Sequence, residues 1–365
     1  MILGHGGNIY ALAKALGCAP GEIMDLSSNI NPFGPMPELT AYLQKALSAL
    51  SALPEADAGS VSLAAAARFG IDPEGVLAGN GTTAFIYALP GILDTRKALI
   101  VGPTYTDYAD ACIRHGVRVQ YLLTRAPASF APNVKRIRAL ASRCDTVFIC
   151  NPNNPTGVLI PKKTLESIVS ACPKTRFIID ESYLDFIREG ETQSLIPFDA
   201  PNRIVLYSFS KMFTIPGLRT GLMVFPPALR NAVFHAQVPW SVNTLAQKAL
   251  LFLLARPEMC RDFIRMSLEG LEREKVLFLK AVASVEGIRF FPGRTAFMLG
   301  RLTRPYSAAG LWRHMAQHRV LIRNCANFKG LSDQYVRISI KKRVCNQTCA
   351  AHLLTYFKAP VPLNR

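Results

Sequence analysis

From about residue 97 onward, short uninterrupted apolar runs alternate with stretches whose apolar positions recur at helical spacing. Residues 97–101, 146–150, 176–180 and 203–207 are rich in β-branched side chains and lack polar alternation, the pattern of strands covered on both faces. Segments 133–143 and 163–171, lying between them, read as helices. This alternation predicts an α/β unit with a mostly parallel sheet between helices. The last third has another texture. A helical stretch over 244–283, broken near Pro257, precedes strand-like pieces at 288–291, 297–302, 320–323 and 335–340. Those pieces predict a smaller α+β domain. We read residues 1–40 as an arm joining that small domain, 41–240 as the large domain and 241–365 as the small one.

The residues just past each predicted strand are chemically distinctive. The first strand runs into Gly102-Pro103-Thr104-Tyr105 and the second into Asn151-Pro152-Asn153-Asn154-Pro155-Thr156-Gly157. The third ends on Asp180-Glu181, and the fourth leads to Ser208-Phe209-Ser210-Lys211. In open α/β sheets ligands bind outside the carboxyl ends of the strands. One crevice would thus receive an aromatic ring, an amide, a carboxylate and a lysine.

Composition removes several classes of protein. Among 365 residues, half are apolar and 18% charged, which excludes a disordered chain. No apolar stretch reaches the ~18–20 residues of a membrane span, and residues 249–255 read as a buried helix. The amino terminus has no basic, then apolar, leader pattern. Nine scattered cysteines, odd in number, do not form a disulfide framework, and a reducing cytoplasm is the expected location. Cys345 and Cys349 lack a second pair at zinc-site spacing. His314 and His318 are spaced to clamp a metal on a helix, but no third ligand adjoins them; they read as surface residues, and no metal is expected. The net charge of +17 is compatible with solvated surface charge, with steering of small phosphorylated substrates, or with nucleic acid. Without a nucleic-acid motif, no nucleic-acid partner is expected.

The strand-end residues have a shared chemistry. A lysine just past a strand, behind Ser-x-Ser, is placed for imine formation beside a phosphate, and a carboxylate such as Asp180 would keep a pyridine nitrogen protonated. Each also has a plainer reading, Asp180 as a cap or ion pair and Lys211 as a surface lysine. Gly79-Asn80-Gly81-Thr82-Thr83-Ala84, before an apolar helix, supplies the amides that a phosphate needs. It also fits a dinucleotide fingerprint, but Val101-Gly102 stands where that reading needs an acid.

Asn154-Pro155-Thr156-Gly157, Asp180 with Tyr183, and Ser208-Phe209-Ser210-Lys211 with Gly217-Leu218-Arg219 beyond it resemble the fold-type-I pyridoxal-phosphate enzymes of the aspartate aminotransferase superfamily. The resemblance implies that fold and pyridoxal 5'-phosphate as cofactor. It implies Lys211 as the attaching amine and Asp180 at the ring nitrogen. Asn154 and Tyr183 would meet the ring's phenolic oxygen, Tyr105 the ring face, and Gly81, Thr82, Ser208, Ser210 and Arg219 the phosphate. Further segments narrow the resemblance: His5-Gly6-Gly7-Asn8-Ile9, Asp25-Leu26-Ser27-Ser28-Asn29-Ile30-Asn31-Pro32, Pro239-Trp240-Ser241-Val242-Asn243 and Leu321-Ile322-Arg323-Asn324-Cys325-Ala326-Asn327. Over essentially the whole chain they are similar to decarboxylases of O-phosphoamino acids, close relatives of histidinol-phosphate aminotransferases. That likeness implies Arg337 at the substrate α-carboxylate, His5, Asn29 and Arg323 at its phosphate, and Asn154 as a further substrate-binding residue. The implied reaction is decarboxylation of O-phospho-L-threonine for the cobalamin nucleotide-loop linker. Alternatives are O-phosphoserine as substrate, or aminotransfer of the histidinol-phosphate kind. A homodimer is implied too. Leu53-Pro54-Glu55 replaces the family's Tyr-Pro-Asp, whose tyrosine reaches the cofactor of the partner subunit, and Thr83 replaces a common acid.

Overall fold

The computed structural model describes residues 5–358. The chain enters through the helix Ile9–Leu16 and a two-residue strand, β1 (Met24–Asp25). Seven strands then build the main sheet: β2 (Val76–Asn80), β3 (Lys97–Gly102), β4 (Arg118–Leu123), β5 (Thr146–Cys150), β6 (Arg176–Asp180), β7 (Arg203–Tyr207) and β8 (Thr220–Val224). Their order is β2-β8-β7-β6-β5-β3-β4. Every neighbouring pair is parallel except the two made by β8.

The apolar runs explain this sheet. Side chains alternate faces along a strand, so each run serves two cores. Leu99, Val147, Ile149, Phe177, Ile179 and Val205 join the core on one face. Ile100, Phe148, Ile178, Ile204 and Leu206 join the core on the other. The central strands β3, β5 and β6 are therefore closed to water on both sides, as uninterrupted apolar patterning predicts. The pattern does not predict β2, β4 or β8; β4 is an edge strand with mostly half-exposed residues, and glycine interrupts β2 and β8.

After the helices Thr244–Leu254 and Pro257–Ala281, which part at Pro257, comes the second sheet. It contains β9 (Ile288–Phe290), β10 (Phe297–Leu302), β12 (Arg323–Asn324) and β13 (Tyr335–Ser339), all antiparallel, in the order β12-β13-β10-β9. The predicted piece at 320–323 is divided. β11 (Val320–Leu321) pairs with β1 in parallel, while Arg323 passes to the antiparallel sheet. That division carries the segment after β1 alongside the strand bearing Arg337: Ser339 N donates to Leu26 O at 2.9 Å. The helix Arg343–Lys358 closes the described chain. Among the described residues no helix is long and apolar enough to cross a membrane.

Candidate active site

The chain reverses its direction of winding between β3 and β5, because β4 lies on one side of β3 and β5 on the other. A crevice opens beyond the carboxyl ends at such a point. Here it is a cavity of about 170 Å³. All fourteen residues expected at the site line it: His5, Asn29, Gly81, Thr82, Tyr105, Asn154, Asp180, Tyr183, Ser208, Ser210, Lys211, Arg219, Arg323 and Arg337.

Lys211 lies just beyond β7, and its backbone is held from the amino-terminal segment. Asn31 N donates to Lys211 O at 3.0 Å, and Asn31 Nδ2 donates to Met212 O at 2.9 Å. Burial, then the positive charges of Arg219 and Arg337, push the Lys211 ammonium down to about 8. Asp180 ends β6, 4% exposed, and burial raises its carboxyl above the usual range. Three donors and one cation oppose that rise. Tyr108 Oη donates to Asp180 Oδ2 at 2.7 Å, Ser182 contributes through its backbone N–H at 2.9 Å and its side chain, and Lys211 acts by its charge. These contacts favour the ionised form of the carboxylate against the effect of its burial.

One end of the cavity is an anion cup. The helix Gly81–Ile92 begins there, with Gly81, Thr82 and Thr83 in the cavity wall, and the start of a helix is partially positive with unpaired N–H groups. Gly81 has φ +74, and a Cβ there would lie 2.8 Å from Arg219 Nη2. A Cβ on Gly221 would lie 2.6 Å from Thr82 N. Both glycines leave the cup open where a side chain would fill it. Arg219 itself has φ 60, a costly left-handed conformation for arginine. Ser210 Oγ donates to Thr220 O at 3.0 Å, so its proton points to the backbone rather than the cavity. Thr82 Oγ1 is 3.2 Å from Ser182 Oγ.

The other end is doubly cationic. Arg323 and Arg337 are register partners on β12 and β13, 9% and 4% exposed. Arg337 donates to Asn154 Oδ1 and Ser27 O, and its buried Nε has no partner. Arg323 Nη2 donates to Asn327 Oδ1 at 2.6 Å while the guanidinium lies over Phe328. Burial pushes Arg323 down to about 10, and Arg337 adds to the shift. His5 Nε2 lies 3.3 Å from Asp107 Oδ1, with its ring tilted against Tyr105. Asn29 is engaged at both ends of its amide: Nδ2 donates to Tyr183 Oη at 3.2 Å, and Oδ1 accepts from Ser339 Oγ at 2.7 Å. Burial raises the Tyr183 phenol to about 12.

The sequence pattern does not reveal Tyr108, Ser182, Asp107 or Phe328. Tyr108 is fully buried in an apolar cluster, and only the fold brings it to Asp180 across 72 positions. Its single sequence signal is helical spacing, three residues past Tyr105. The buried amine, the hydrogen-bonded carboxylate and the anion cup fit pyridoxal phosphate: an aldehyde, a basic ring nitrogen and a phosphate. Lys211, Asp180 and the cup would hold these in turn.

Comparisons with known proteins agree with this fit. The family described as aminotransferase class I and II matches residues 21–351. A threonine-phosphate decarboxylase of Salmonella typhimurium is 33% identical over 354 residues, 96% of this chain and 95% of the relative. A histidinol-phosphate aminotransferase of Methanocaldococcus jannaschii is 26% identical over 90% of this chain and 88% of its own. The crystal structure of L-threonine-O-3-phosphate decarboxylase from Porphyromonas gingivalis superposes with a TM-score of 0.82 at 29% identity, over 92% of this chain and 100% of that one.

Proposed function

This chain belongs to the class I and II aminotransferase family of pyridoxal-phosphate enzymes, and within it we propose a decarboxylase of O-phospho-L-threonine, releasing CO2 and (R)-1-amino-2-propanol O-2-phosphate. The observation that carries the reading is the Arg323–Arg337 pair. Like charges directly opposite on neighbouring strands are destabilising, and both guanidiniums are buried. Among the described residues neither forms an ion pair; both are held by neutral oxygens. A substrate with two anionic groups offsets that cost. A planar guanidinium suits a carboxylate, and a second one beside an imidazole suits a phosphate.

In this reading Arg337 grips the carboxylate, while His5, Asn29 and Arg323 hold the phosphate. Anchoring both ends of a short substrate fixes which Cα bond is aligned to break. Bound pyridoxal phosphate supplies an electron sink for the pair left at Cα. Asp180 would face the ring nitrogen and favour its protonated form, and the hydrogen bonds from Tyr108 and Ser182 favour the ionised form of Asp180. The Cα–carboxylate bond breaks, CO2 departs, and Lys211 Nζ delivers a proton to Cα. The product would serve as the linker precursor of the cobalamin nucleotide loop. O-Phosphoserine differs by one methyl, for which a pocket offers only ~10–200-fold discrimination, so it should be a measurable second substrate.

The test is incubation with O-phospho-L-threonine and no keto acid. CO2 release with formation of the amino-alcohol phosphate is the expected result. Keto-acid-dependent amino transfer from histidinol phosphate without CO2 would replace this reading by the aminotransferase one. Equal decarboxylation of free threonine would refute the role given to the cationic end.

A further inference from the structure

Three imidazoles converge outside the catalytic cavity. His314 lies in the last turn of the helix Ala308–Gln317, and His318 caps that helix. The spacing i, i+4 puts them on one face. His352, on the helix Arg343–Lys358, packs against them. The His318 and His352 rings are stacked with centroids 3.9 Å apart and planes 12° apart, and His314 lies 5.0 and 6.0 Å from them. One nitrogen of each ring lies within 4.8 Å of one on each of the others, and no other described group of His, Cys, Asp or Glu converges in this way. The third ligand that the sequence does not reveal therefore comes from the next helix.

We infer that His314, His318 and His352 bind a divalent transition cation of the zinc class, which clips the last described helix to Ala308–Gln317. Neutral nitrogen donors select zinc and its neighbours over magnesium or calcium. Three imidazoles with water in the fourth position make a complete tetrahedral shell. Bonds of ~2.0–2.1 Å would set the ligand atoms roughly 3.3 Å apart, so the rings close by about 1.5 Å at most. His318 is exposed and the other two are half-buried, so ring rotation allows that closure. His314 Nε2 is 3.2 Å from His352 O. A carbonyl only accepts, so Nε2 carries the proton and Nδ1 keeps its lone pair, the tautomer fixing that metal-binding histidines receive from their outer partners. The carbonyl end of the helix Ala308–Gln317 is partially negative and favours a cation there.

The test uses the full-length, cofactor-loaded protein and zinc, with His318→Ala and His352→Ala variants. His318→Ala alters an exposed side chain, so its folding is not at risk. Equilibrium dialysis should show one more tightly bound zinc per chain in the parent than in either variant, with affinity at that site at least about tenfold weaker in the variants. The parent's melting temperature should rise by about 3 °C or more with zinc a hundredfold above its dissociation constant, and that of the variants should not. Equal zinc uptake by parent and variants would assign the metal to thiols or the cofactor and overturn the inference. So would uptake without any difference in melting.

Discussion

Lys211 must lose a proton before it can attach an aldehyde, and its surroundings set when that happens. Burial, Arg219 and Arg337 all favour the neutral amine, against Asp180, and bring its titration down to about 8. The neutral fraction therefore grows as pH rises through 8. We predict that cofactor uptake by the apo-protein, monitored as yellow colour, accelerates about tenfold per pH unit below 8 and levels above it. A midpoint near the ordinary lysine value of 10.5 would contradict this account of the site. Tyr108 is the second residue-scale case. Its hydroxyl is one of three donors to a buried carboxylate, and a hydrogen bond to a charged group contributes roughly 1.5–3 kcal/mol. Tyr108→Phe should lower kcat roughly ten- to hundredfold, because Asp180 then holds its charge less firmly. The spectrum of the bound cofactor should shift toward its unprotonated-ring form at lower pH than in the parent. A loss of kcat with an unchanged pH dependence of that spectrum would leave Tyr108 only a packing role.

At the scale of elements, the legible parts are those written locally. The strands with two apolar faces can be read directly, and so can the motifs just beyond their carboxyl ends, because both are contiguous in sequence. What escapes is non-local. β8 runs antiparallel through a region of glycine, Tyr108 meets Asp180 only through helix packing, and His352 joins His314 only where two helices touch. Asn29 is likewise positioned from afar: its amide bonds Tyr183 and Ser339, and these contacts fix its orientation in the cavity wall. The meeting of β8 with the start of the helix Gly81–Ile92 gives a prediction of its own. Gly221→Ala would place a methyl 2.6 Å from Thr82 N, a backbone atom that cannot turn aside. Overpacking of this kind costs roughly 1–3 kcal/mol and here displaces the amides of the anion cup. The dissociation constant for pyridoxal phosphate should rise about tenfold or more. Far-ultraviolet circular dichroism should confirm that the sheet persists.

At the scale of the whole molecule, the apolar surface argues for a second copy. Leu47, Leu50, Leu53 and Leu63 are exposed in one stretch of chain, and Trp240 and Val238 in another. Three hydrogen bonds tie the two stretches together. Trp240 N donates to Ala56 O at 2.8 Å, Gln247 Nε2 to Glu55 O at 2.9 Å, and Gln237 Nε2 to Asp57 O at 3.5 Å. Exposed apolar side chains gathered on neighbouring stretches of a folded protein are a feature of interaction surfaces. Leu53 is the most exposed of the six at 79%, and it stands where the resemblance read from the sequence implies a tyrosine reaching the partner's cofactor. Leucine cannot donate to a phosphate, so here that position can serve the interface by burial and not by a hydrogen bond. The expected assembly is a homodimer of twice the 40.1 kDa chain mass in sedimentation equilibrium. Two substitutions separate these contributions. Leu53→Asp places a charge in the patch and should shift the equilibrium toward monomer, with activity that recovers as protein concentration rises. Leu53→Tyr supplies a hydroxyl on an aromatic ring that still buries apolar surface, and should keep the dimer while tightening cofactor binding. A parent protein that sediments as a fully active monomer at all concentrations would refute the reading of the patch. If Leu53→Asp left the dimer intact, the interface would have to lie elsewhere on the molecule.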